Sequence, residues 1–314
     1  MCKHDTLEYR LGATSASDRL DKILAKLLPE HSRSRLQTWI EEGHVLLNGA
    51  PARIRQTVGP GDIIAVTPQP APEDTAFVPE PVAFDVVAES AQWVVVNKPA
   101  GLVTHPGAGN WNGTLLNGLL HRYPELARIP RAGIVHRLDK DTSGILVVAR
   151  TEVAQTHLVR QLQARTVHRE YVALVHGQLS GTGTIDQPIG RDPGVPVRMA
   201  VERPVAPKPA VTHYTAIRQG RAADGAWVTQ VACRLETGRT HQIRVHLSSR
   251  GHALVADALY GGRAVGGATR QMLHARALSF DDPAGTGTVA FETELPADLT
   301  NVLDGVEWHP GAKA

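Results

Sequence analysis

A proline-rich segment between residues 68 and 81 divides this chain of 314 residues. It contains five prolines and few large apolar side chains. Because proline fixes φ and has no N–H to donate, a run of this kind joins neither a helix interior nor the middle of a sheet. The segment predicts a stiff, extended linker between a small folded part and a large one.

The small part, which precedes the linker, predicts two short helices and a few strands. Ser17 is the predicted N-cap of the first helix, and Asn48-Gly49 is the predicted two-residue turn of a hairpin. The predicted elements are, in chain order, a helix at about 17–28, a helix at about 34–43, a strand at 45–47 and a strand at 62–66.

Arg33 and Arg35 lie near the start of the second helix, and two more arginines follow the hairpin. These arginines could contact successive phosphates of a nucleic-acid backbone. They could also form a solvated face whose charge neighbouring glutamates offset. The stretch SRSRLQTWIEEGHVLLNGAPARIRQTVGPGDIIAV resembles an S4-type RNA-binding domain. This resemblance implies an S4-like domain at 14–68, with Arg33 and Arg35 contacting RNA, followed by the linker at 69–81.

The large part contains many short apolar runs bounded by Gly, Pro, Asn and Asp. Strands outnumber helices without a regular βαβ alternation, so the predicted class is α+β with a mixed, largely antiparallel sheet. The predicted strands are 84–87, 93–96, 144–149, 171–175 and 228–233, and the predicted helices are about 114–120, 151–164 with Thr151 as N-cap, and 240–249.

The segment GIVHRLDKDTSGILVVA, residues 133–149, inserts charged residues directly between two apolar strands. A loop of this kind at the edge of a rigid sheet is typical of catalytic sites. It could also be a salt-bridged turn, and for Asp141, Thr142 and Ser143 we expect capping of nearby backbone groups.

Several familiar site classes do not fit the sequence. The loop lacks the spacing of a kinase catalytic loop, and the chain has neither a phosphate-binding P-loop motif nor a dinucleotide-binding glycine pattern. His241 and His246 are five residues apart, which does not align two metal ligands on one helix face. Two cysteines cannot form a disulfide framework or a four-cysteine zinc site. We therefore expect no metal site.

Three separated segments in the large part carry a second resemblance: HRLDKDTSGILVVAR, EYVALVHG and ETGRTHQIRVHLSSRGHALVADALYG. In this order they resemble the RluA family of pseudouridine synthases, which implies a catalytic domain at 82–314. Many relatives have Gly-Asp-Pro where this chain has Ala256-Asp257-Ala258, and we expect this departure to lie outside the chemical centre.

The resemblance implies isomerisation of specific uridines to pseudouridine in RNA, without a cofactor. The expected partner is 23S ribosomal RNA or the large ribosomal subunit, with a stem-loop as target. Three alternatives stay open: a synthase acting on transfer RNA, a non-catalytic RNA-binding or ribosome-assembly protein, and a hydrolase with His136 or His241 as base. Product analysis separates them, because hydrolysis shortens the RNA or releases uracil, whereas isomerisation leaves its length and mass unchanged.

The resemblance also implies roles for five residues. Asp139 is the carboxylate that starts the reaction, either as nucleophile at C1′ or as base at C2′. Arg244 keeps Asp139 ionised and oriented, and Tyr171 stacks on the uracil and takes part in proton transfer at C5. Arg137 inserts into the RNA stack when the target base is extruded, while His136 supports the turn by hydrogen bonding.

Charge and hydropathy bear on partners and location. The formal net charge is +2, and the 33 basic residues comprise 26 Arg and 7 Lys. Abundant arginine suits phosphate contacts but also arises from genome composition. The sequence has no apolar run of about 18 residues and no secretory signal, so we expect a cytoplasmic protein with no membrane span. A monomer would suffice for one active site beside one RNA-binding module.

Overall fold

The computed structural model describes residues 6–69, 76–107 and 109–309, and the chain forms two compact units, 1–74 and 75–314. The remaining residues, including 70–75 of the predicted linker, lie outside the described residues.

The small unit packs two helices against a short antiparallel sheet in the strand order β1-β6-β3-β4, and β2 pairs separately with β5. Its elements are β1 (Leu7–Arg10), β2 (Asp18–Arg19), α1 (Leu20–Leu27), α2 (Arg33–Glu41), β3 (Val45–Leu47), β4 (Ala50–Pro51), β5 (Thr57–Val58) and β6 (Ile63–Val66). Apolar residues of both helices and of the sheet form one core. This arrangement confirms the predicted helix pair, strands and hairpin.

One boundary in the small unit is wrong in the sequence prediction. The first helix begins at Leu20, and its N-cap is Arg19 rather than Ser17. The reason is strand pairing, because Asp18 and Arg19 pair with β5 and hold the backbone extended. The predicted turn at Asn48-Gly49 is confirmed, with φ of 52° and 81° at its two residues.

The large unit is built around a ten-stranded sheet whose main path runs β11-β15-β16-β10-β17-β9-β8-β7, with β18 on β17 and β19 on β15. Its sheet strands are β7 (Asp85–Glu89), β8 (Trp93–Lys98), β9 (Ser143–Ala149), β10 (His168–His176), β11 (Thr182–Asp186), β15 (Val211–Arg221), β16 (Trp227–Leu235), β17 (Leu273–Asp281), β18 (Thr288–Glu292) and β19 (Glu307–Trp308). Only the pairing of β9 with β17 is parallel among these described strands. The predicted α+β class with a largely antiparallel sheet is confirmed.

Four α-helices, three short 3₁₀ helices and a small separate sheet complete the described part of the large unit. The helices are α3 (Leu115–Arg122), α4 (Glu152–Ala164), α5 (Gln242–Ser249) and α6 (Ala297–Asp304), and the small sheet comprises β12 (Ile189–Arg191), β13 (Met199–Ala200) and β14 (Val205–Lys208). The predicted cap of α4 is confirmed, since the Thr151 hydroxyl accepts a hydrogen bond from the Ala154 N–H at 3.1 Å.

The charged loop of residues 136–142 runs directly into β9, which is buried along its whole length. Gly144 allows this strand to approach β17 closely. Its φ is +117°, and a Cβ there would lie 2.2 Å from the Ala275 carbonyl oxygen. Glycine is therefore required at this position, and the approach fixes the end of the loop against the sheet.

Residues 76–81, the second half of the predicted linker, pack on the large unit. The Asn117 side chain donates hydrogen bonds to the carbonyls of Ala76 at 3.2 Å and Val78 at 2.8 Å. The Glu80 N–H donates in turn to the Asn117 carbonyl at 3.1 Å. This stretch belongs to the surface of the large unit rather than to a free tether.

Candidate active site

Four of the five site residues predicted in the large unit line one cavity of about 840 Å³. His136, Arg137, Asp139 and Tyr171 all line it. The first three lie on the loop before β9, and Tyr171 lies on β10. Both strands pair with β17, so the sheet topology brings two distant segments to the same opening.

Asp139 is paired with Arg244 across 105 residues of sequence. The Arg244 Nη1 donates to Asp139 Oδ2 at 3.1 Å, and the Asp139 side chain is 15% exposed. The carboxylate is therefore held by a cation and still open to the cavity. The structure brings together the two residues that the sequence assigned to this pair.

Arg244 is held from its other side by Asp257. Its Nε and Nη2 donate to the two carboxylate oxygens of Asp257 at 2.7 and 2.9 Å, a bidentate pair that is almost fully buried. Burial disfavours the charge of Arg244, but the two carboxylates outweigh it and raise the pKa of the guanidinium. Arg244 therefore stays charged and fixed in orientation.

Asp257, the residue that this chain shares with the Gly-Asp-Pro of many relatives, lies against the predicted site residues. The turn after α5 brings Asp257 back against Arg244, and it lies one contact away from Asp139. Tyr260 of the same segment also packs on the guanidinium, with Arg244 Cζ 5.1 Å from the ring centre. The sequence interpretation named neither Asp257 nor Tyr260 as a site residue, although both contact Arg244 and both belong to the motif that carried the resemblance.

The backbone of the Asp139 loop is fixed at four successive carbonyl groups. The Leu138 carbonyl accepts from the Thr104 hydroxyl at 2.7 Å, and the Asp139 carbonyl accepts from the Thr142 N–H at 3.1 Å. The next two carbonyls accept from the Gly101 N–H and Lys98 Nζ, and from Arg270 Nη1, at 2.9 to 3.0 Å. Saturated carbonyls leave the loop little freedom to rotate, so the Asp139 carboxylate is presented on a rigid base.

The predicted capping by residues 142 and 143 is wrong. The Thr142 hydroxyl accepts from the Gln271 side chain, and the Ser143 hydroxyl contacts His274 Nδ1 at 2.9 Å and Arg270. These partners lie on β17 or just before it, so tertiary contacts replace the local turn bonds.

Lys98 is a buried lysine beneath the loop that the sequence interpretation also missed. Its Nζ donates to the carbonyls of Pro99, Leu102 and Lys140 at 2.8 to 3.0 Å. Burial lowers its pKa to about 7, against the opposing charges of Asp139 and Asp141. The ammonium ties the strand end of β8 to the loop that carries Asp139.

Tyr171 contributes a ring to the cavity wall and to the main core. It is 5% exposed, and burial raises the pKa of its hydroxyl. The phenol is therefore neutral at neutral pH, and its hydroxyl can donate a proton or hydrogen bond to a bound base.

His136 and Arg137 differ in their surroundings. His136 Nε2 accepts a hydrogen bond from the Val147 N–H at 3.2 Å, and burial lowers its pKa to about 3. Arg137 is exposed at the cavity wall. His241 also lines the cavity, and its Nδ1 lies 2.8 Å from the Tyr260 hydroxyl.

Arg33 and Arg35 lie on α2 of the small unit. Arg33 is exposed but donates to the fully buried Asp21 carboxylate at 2.6 Å. Arg35 donates to the Gln69 carbonyl at 2.9 Å, and its Cζ lies 5.4 Å from the centre of the Trp39 ring. Both guanidinium groups are held in place by the fold as well as facing its surface.

Within the described part of the chain, no group of three or more His, Cys, Asp or Glu residues is arranged to hold a metal ion. None of the described helices is long and apolar enough to cross a lipid bilayer.

Sequence comparison decides the family of this chain. The profile described as "RNA pseudouridylate synthase" matches residues 92–249, which include Asp139, Tyr171 and Arg244. The chain belongs to the RNA pseudouridylate synthase family. It is therefore an isomerase. This result excludes the two alternatives of a non-catalytic RNA-binding protein and a hydrolase. The S4 domain profile matches residues 18–64, in agreement with the expected RNA-binding module.

Curated relatives are similar over nearly the whole chain. Proteins named "Ribosomal large subunit pseudouridine synthase D" are 49% identical in Neisseria meningitidis serogroup B, over 97% of this chain and 84% of that protein, and 46% identical in Nitrosomonas europaea, over 96% and 88%. The protein of that name in Escherichia coli O6:H1 is 42% identical over 97% of this chain and 95% of its own length.

Solved structures agree with the fold of the large unit. Human RNA Pseudouridylate Synthase Domain Containing 1 aligns with a TM-score of 0.59 and 28% identity, over 79% of this chain and 94% of that one. Human RNA Pseudouridylate Synthase Domain Containing 4 aligns with a TM-score of 0.54 and 23% identity, over 71% and 94%, which supports the fold alone.

Proposed function

We propose that this chain converts specific uridines of large-subunit ribosomal RNA into pseudouridine, and that Asp139 starts the reaction. The names of the three relatives above support the ribosomal substrate, since each is similar to this chain from end to end. The observation that carries the catalytic proposal is the contact of Asp139 with Arg244 at the wall of the cavity.

Asp139 acts on the ribose while the uracil is held in the cavity. The bond between N1 and C1′ breaks, and both of its electrons stay with the uracil. Asp139 either bonds to C1′ as a nucleophile or removes the C2′ proton to leave a glycal. After the base turns, C5 bonds to C1′ as the Asp139–C1′ bond breaks or, on the glycal route, as Asp139 returns the proton to C2′. The C5 proton then leaves and N1 gains a proton, so the product has the mass of the substrate.

Arg244 and Asp257 prepare Asp139 for this step. Arg244 keeps a positive charge beside the carboxylate, which favours its ionised form next to polyanionic RNA. Asp257 fixes the guanidinium by two hydrogen bonds and prevents it from closing over Asp139 as a bidentate pair. Asp139 therefore keeps an oxygen atom free for the ribose.

Tyr171 and the loop side chains handle the flipped nucleotide. The Tyr171 ring stacks on the uracil, and its neutral hydroxyl takes part in proton transfer at C5. Arg137, which is exposed at the cavity, fills the space that the uridine leaves in the RNA stack. His136 supports the loop through its bond with the Val147 N–H.

The small unit binds RNA in this proposal, through Arg33 and Arg35 on α2. Their fixed guanidinium groups contact phosphates, and RNA affinity therefore falls steeply with salt concentration. The enzyme acts as a monomer, because every group assigned here to the chemistry comes from one chain. It acts in the cytoplasm, because the proposed substrate is ribosomal RNA.

Mapping of pseudouridine in defined RNAs tests the substrate. Unmodified large-subunit ribosomal RNA and unmodified transfer RNAs are incubated with wild-type enzyme or Asp139→Asn, treated with carbodiimide and copied by reverse transcriptase. We expect stops in the ribosomal RNA with the wild type alone. Stops confined to transfer RNA would show that transfer RNA, and not ribosomal RNA, is the substrate. Stops with both proteins would remove Asp139 from the mechanism.

A further inference from the structure

The wall of the cavity holds nitrogen atoms that have no partner in the protein. Among the described residues, four buried side-chain N or O atoms lack a hydrogen bond, and three of them belong to residues that line this cavity. They are His105 Nε2, His136 Nδ1 and Arg169 Nε. Because buried polar atoms are nearly always satisfied, three open positions around one cavity indicate a ligand that completes them.

Arg169 is the charged member of this set. Burial lowers the pKa of the two imidazoles to about 4 for His105 and about 3 for His136, so both rings are neutral at neutral pH. The Arg169 residue is 6% exposed, and a guanidinium retains its proton in a protein. The cavity wall therefore contains a buried cation of its own, distinct from Arg244 behind Asp139.

Arg169 lacks a carboxylate partner among the described residues. Its one hydrogen bond runs from Nη2 to the Glu236 backbone carbonyl at 3.3 Å. The Glu236 carboxylate points elsewhere, to Arg165 and His213 at 2.7 Å each. An unpaired buried charge is costly, and Arg244 shows that this fold can supply paired carboxylates where they are needed.

The fold makes room for this guanidinium. A Cβ at Gly238 would lie 2.7 Å from Arg169 Nη1, so glycine leaves the space that the side chain occupies. Arg169 also precedes Tyr171 by two residues on β10, and both side chains line the cavity. The cation therefore faces the same space as the ring assigned to stack on uracil.

We propose that Arg169 stabilises the uracil anion when the glycosidic bond breaks, an assignment that rests on the proposed function of this cavity. The N1–C1′ electron pair passes to the uracil and spreads over N1, O2 and O4. This happens whether Asp139 bonds to C1′ or removes the C2′ proton, so both routes produce the same anion. An N–H of Arg169 donates a hydrogen bond to this anion, and the bond strengthens as negative charge develops on the uracil.

A leaving-group comparison tests the proposal. Fluorine at C5 withdraws electrons and stabilises the departing pyrimidine, which reduces its need for a cation. Single-turnover loss of the N-glycoside is measured by mass spectrometry of nuclease digests, in RNA with uridine or 5-fluorouridine at the target site. We expect Arg169→Met to slow the uridine reaction by about 100-fold and the 5-fluorouridine reaction by less than about tenfold.

Four further variants serve as controls for this test. Gly238→Ala crowds Nη1 without removing the charge and should show the same preference for 5-fluorouridine, while Arg169→Lys should recover part of the uridine rate. Arg165→Met removes a half-exposed cation of the same cavity and should affect both substrates equally. Asp139→Asn should abolish both reactions, and activity there would overturn the proposed function rather than the role of Arg169.

The melting temperature separates this role from a structural one. Loss of an unpaired buried cation should leave the melting temperature of Arg169→Met unchanged or higher. Equal losses on the two substrates would overturn the proposal. So would weaker RNA binding with an unchanged rate at saturation, which would assign Arg169 to a phosphate.

Discussion

Asp257→Asn removes one charge from the pair that orients Arg244. The wild-type pair has two charge-assisted hydrogen bonds of 2.7 and 2.9 Å in a nearly dry environment. Breaking a buried pair from one side costs about 3–5 kcal/mol. Because Arg244 keeps its bond to Asp139 and asparagine keeps one acceptor, we expect the free energy of unfolding to fall by about 3 kcal/mol, at the low end of that range.

The same substitution should slow the chemical step. Without Asp257, Arg244 is free to turn towards Asp139 and occupy both of its oxygens. This misplacement of Arg244 relative to Asp139 should lower the single-turnover rate by about 10- to 100-fold. The assays are urea denaturation and single-turnover formation of pseudouridine at saturating enzyme. Asp192→Asn is the control, because its partner Arg198 is half-exposed. This variant should lower the free energy of unfolding by less than about 1 kcal/mol and leave the rate unchanged.

A double-mutant cycle completes this test. Arg244→Met and Asp257→Leu together remove both charges, so the double variant should be at least about 2 kcal/mol more stable than the sum of the single losses predicts. Additivity within about 0.5 kcal/mol would refute the reasoning, since it would mean that the two side chains do not depend on each other.

Three more predictions concern the proposed roles. Tyr171→Phe should bind RNA normally but be nearly inactive in single turnover, and full activity would remove the hydroxyl from the mechanism. Arg137→Ala should lose more activity on a folded stem-loop than on an unstructured fragment, and equal losses would argue against base flipping as its role. Lys98 has a folded-state pKa of about 7, below its ordinary value of 10.5, so the unfolded chain binds more protons between those values. Wild-type stability should therefore rise relative to Lys98→Met as the pH increases from 7 to 10.5, and a difference constant over that range in urea denaturation would contradict the assigned burial.

Local signals in the sequence were enough for much of the fold. The cap at Thr151 and the Asn48-Gly49 turn depend on neighbouring residues alone, and both are present as predicted. The start of α1 depended on a partner strand 38 residues away, since Arg19 pairs with Thr57. Helical spacing cannot report such a pairing, so the predicted helix began too early.

The site was predicted where a motif carried it and missed where only packing did. Asp139, Tyr171 and Arg244 were assigned from three motifs. Lys98 follows an apolar strand and has the composition of an exposed strand end, yet it is fully buried on three carbonyls. Asp257 was not named as a site residue, because its sequence distance from Arg244 does not show that the chain turns back after α5.

Release of tritium from C5-labelled uridine in large-subunit ribosomal RNA tests the central claim most directly. The wild-type enzyme is compared with Asp139→Asn, which removes the charge with almost no change in shape. Both are assayed at concentrations that bind the same fraction of the RNA. The account predicts release by the wild type alone, with the RNA unchanged in length. Release at a similar rate by Asp139→Asn would contradict it, because the reaction would then start from another group.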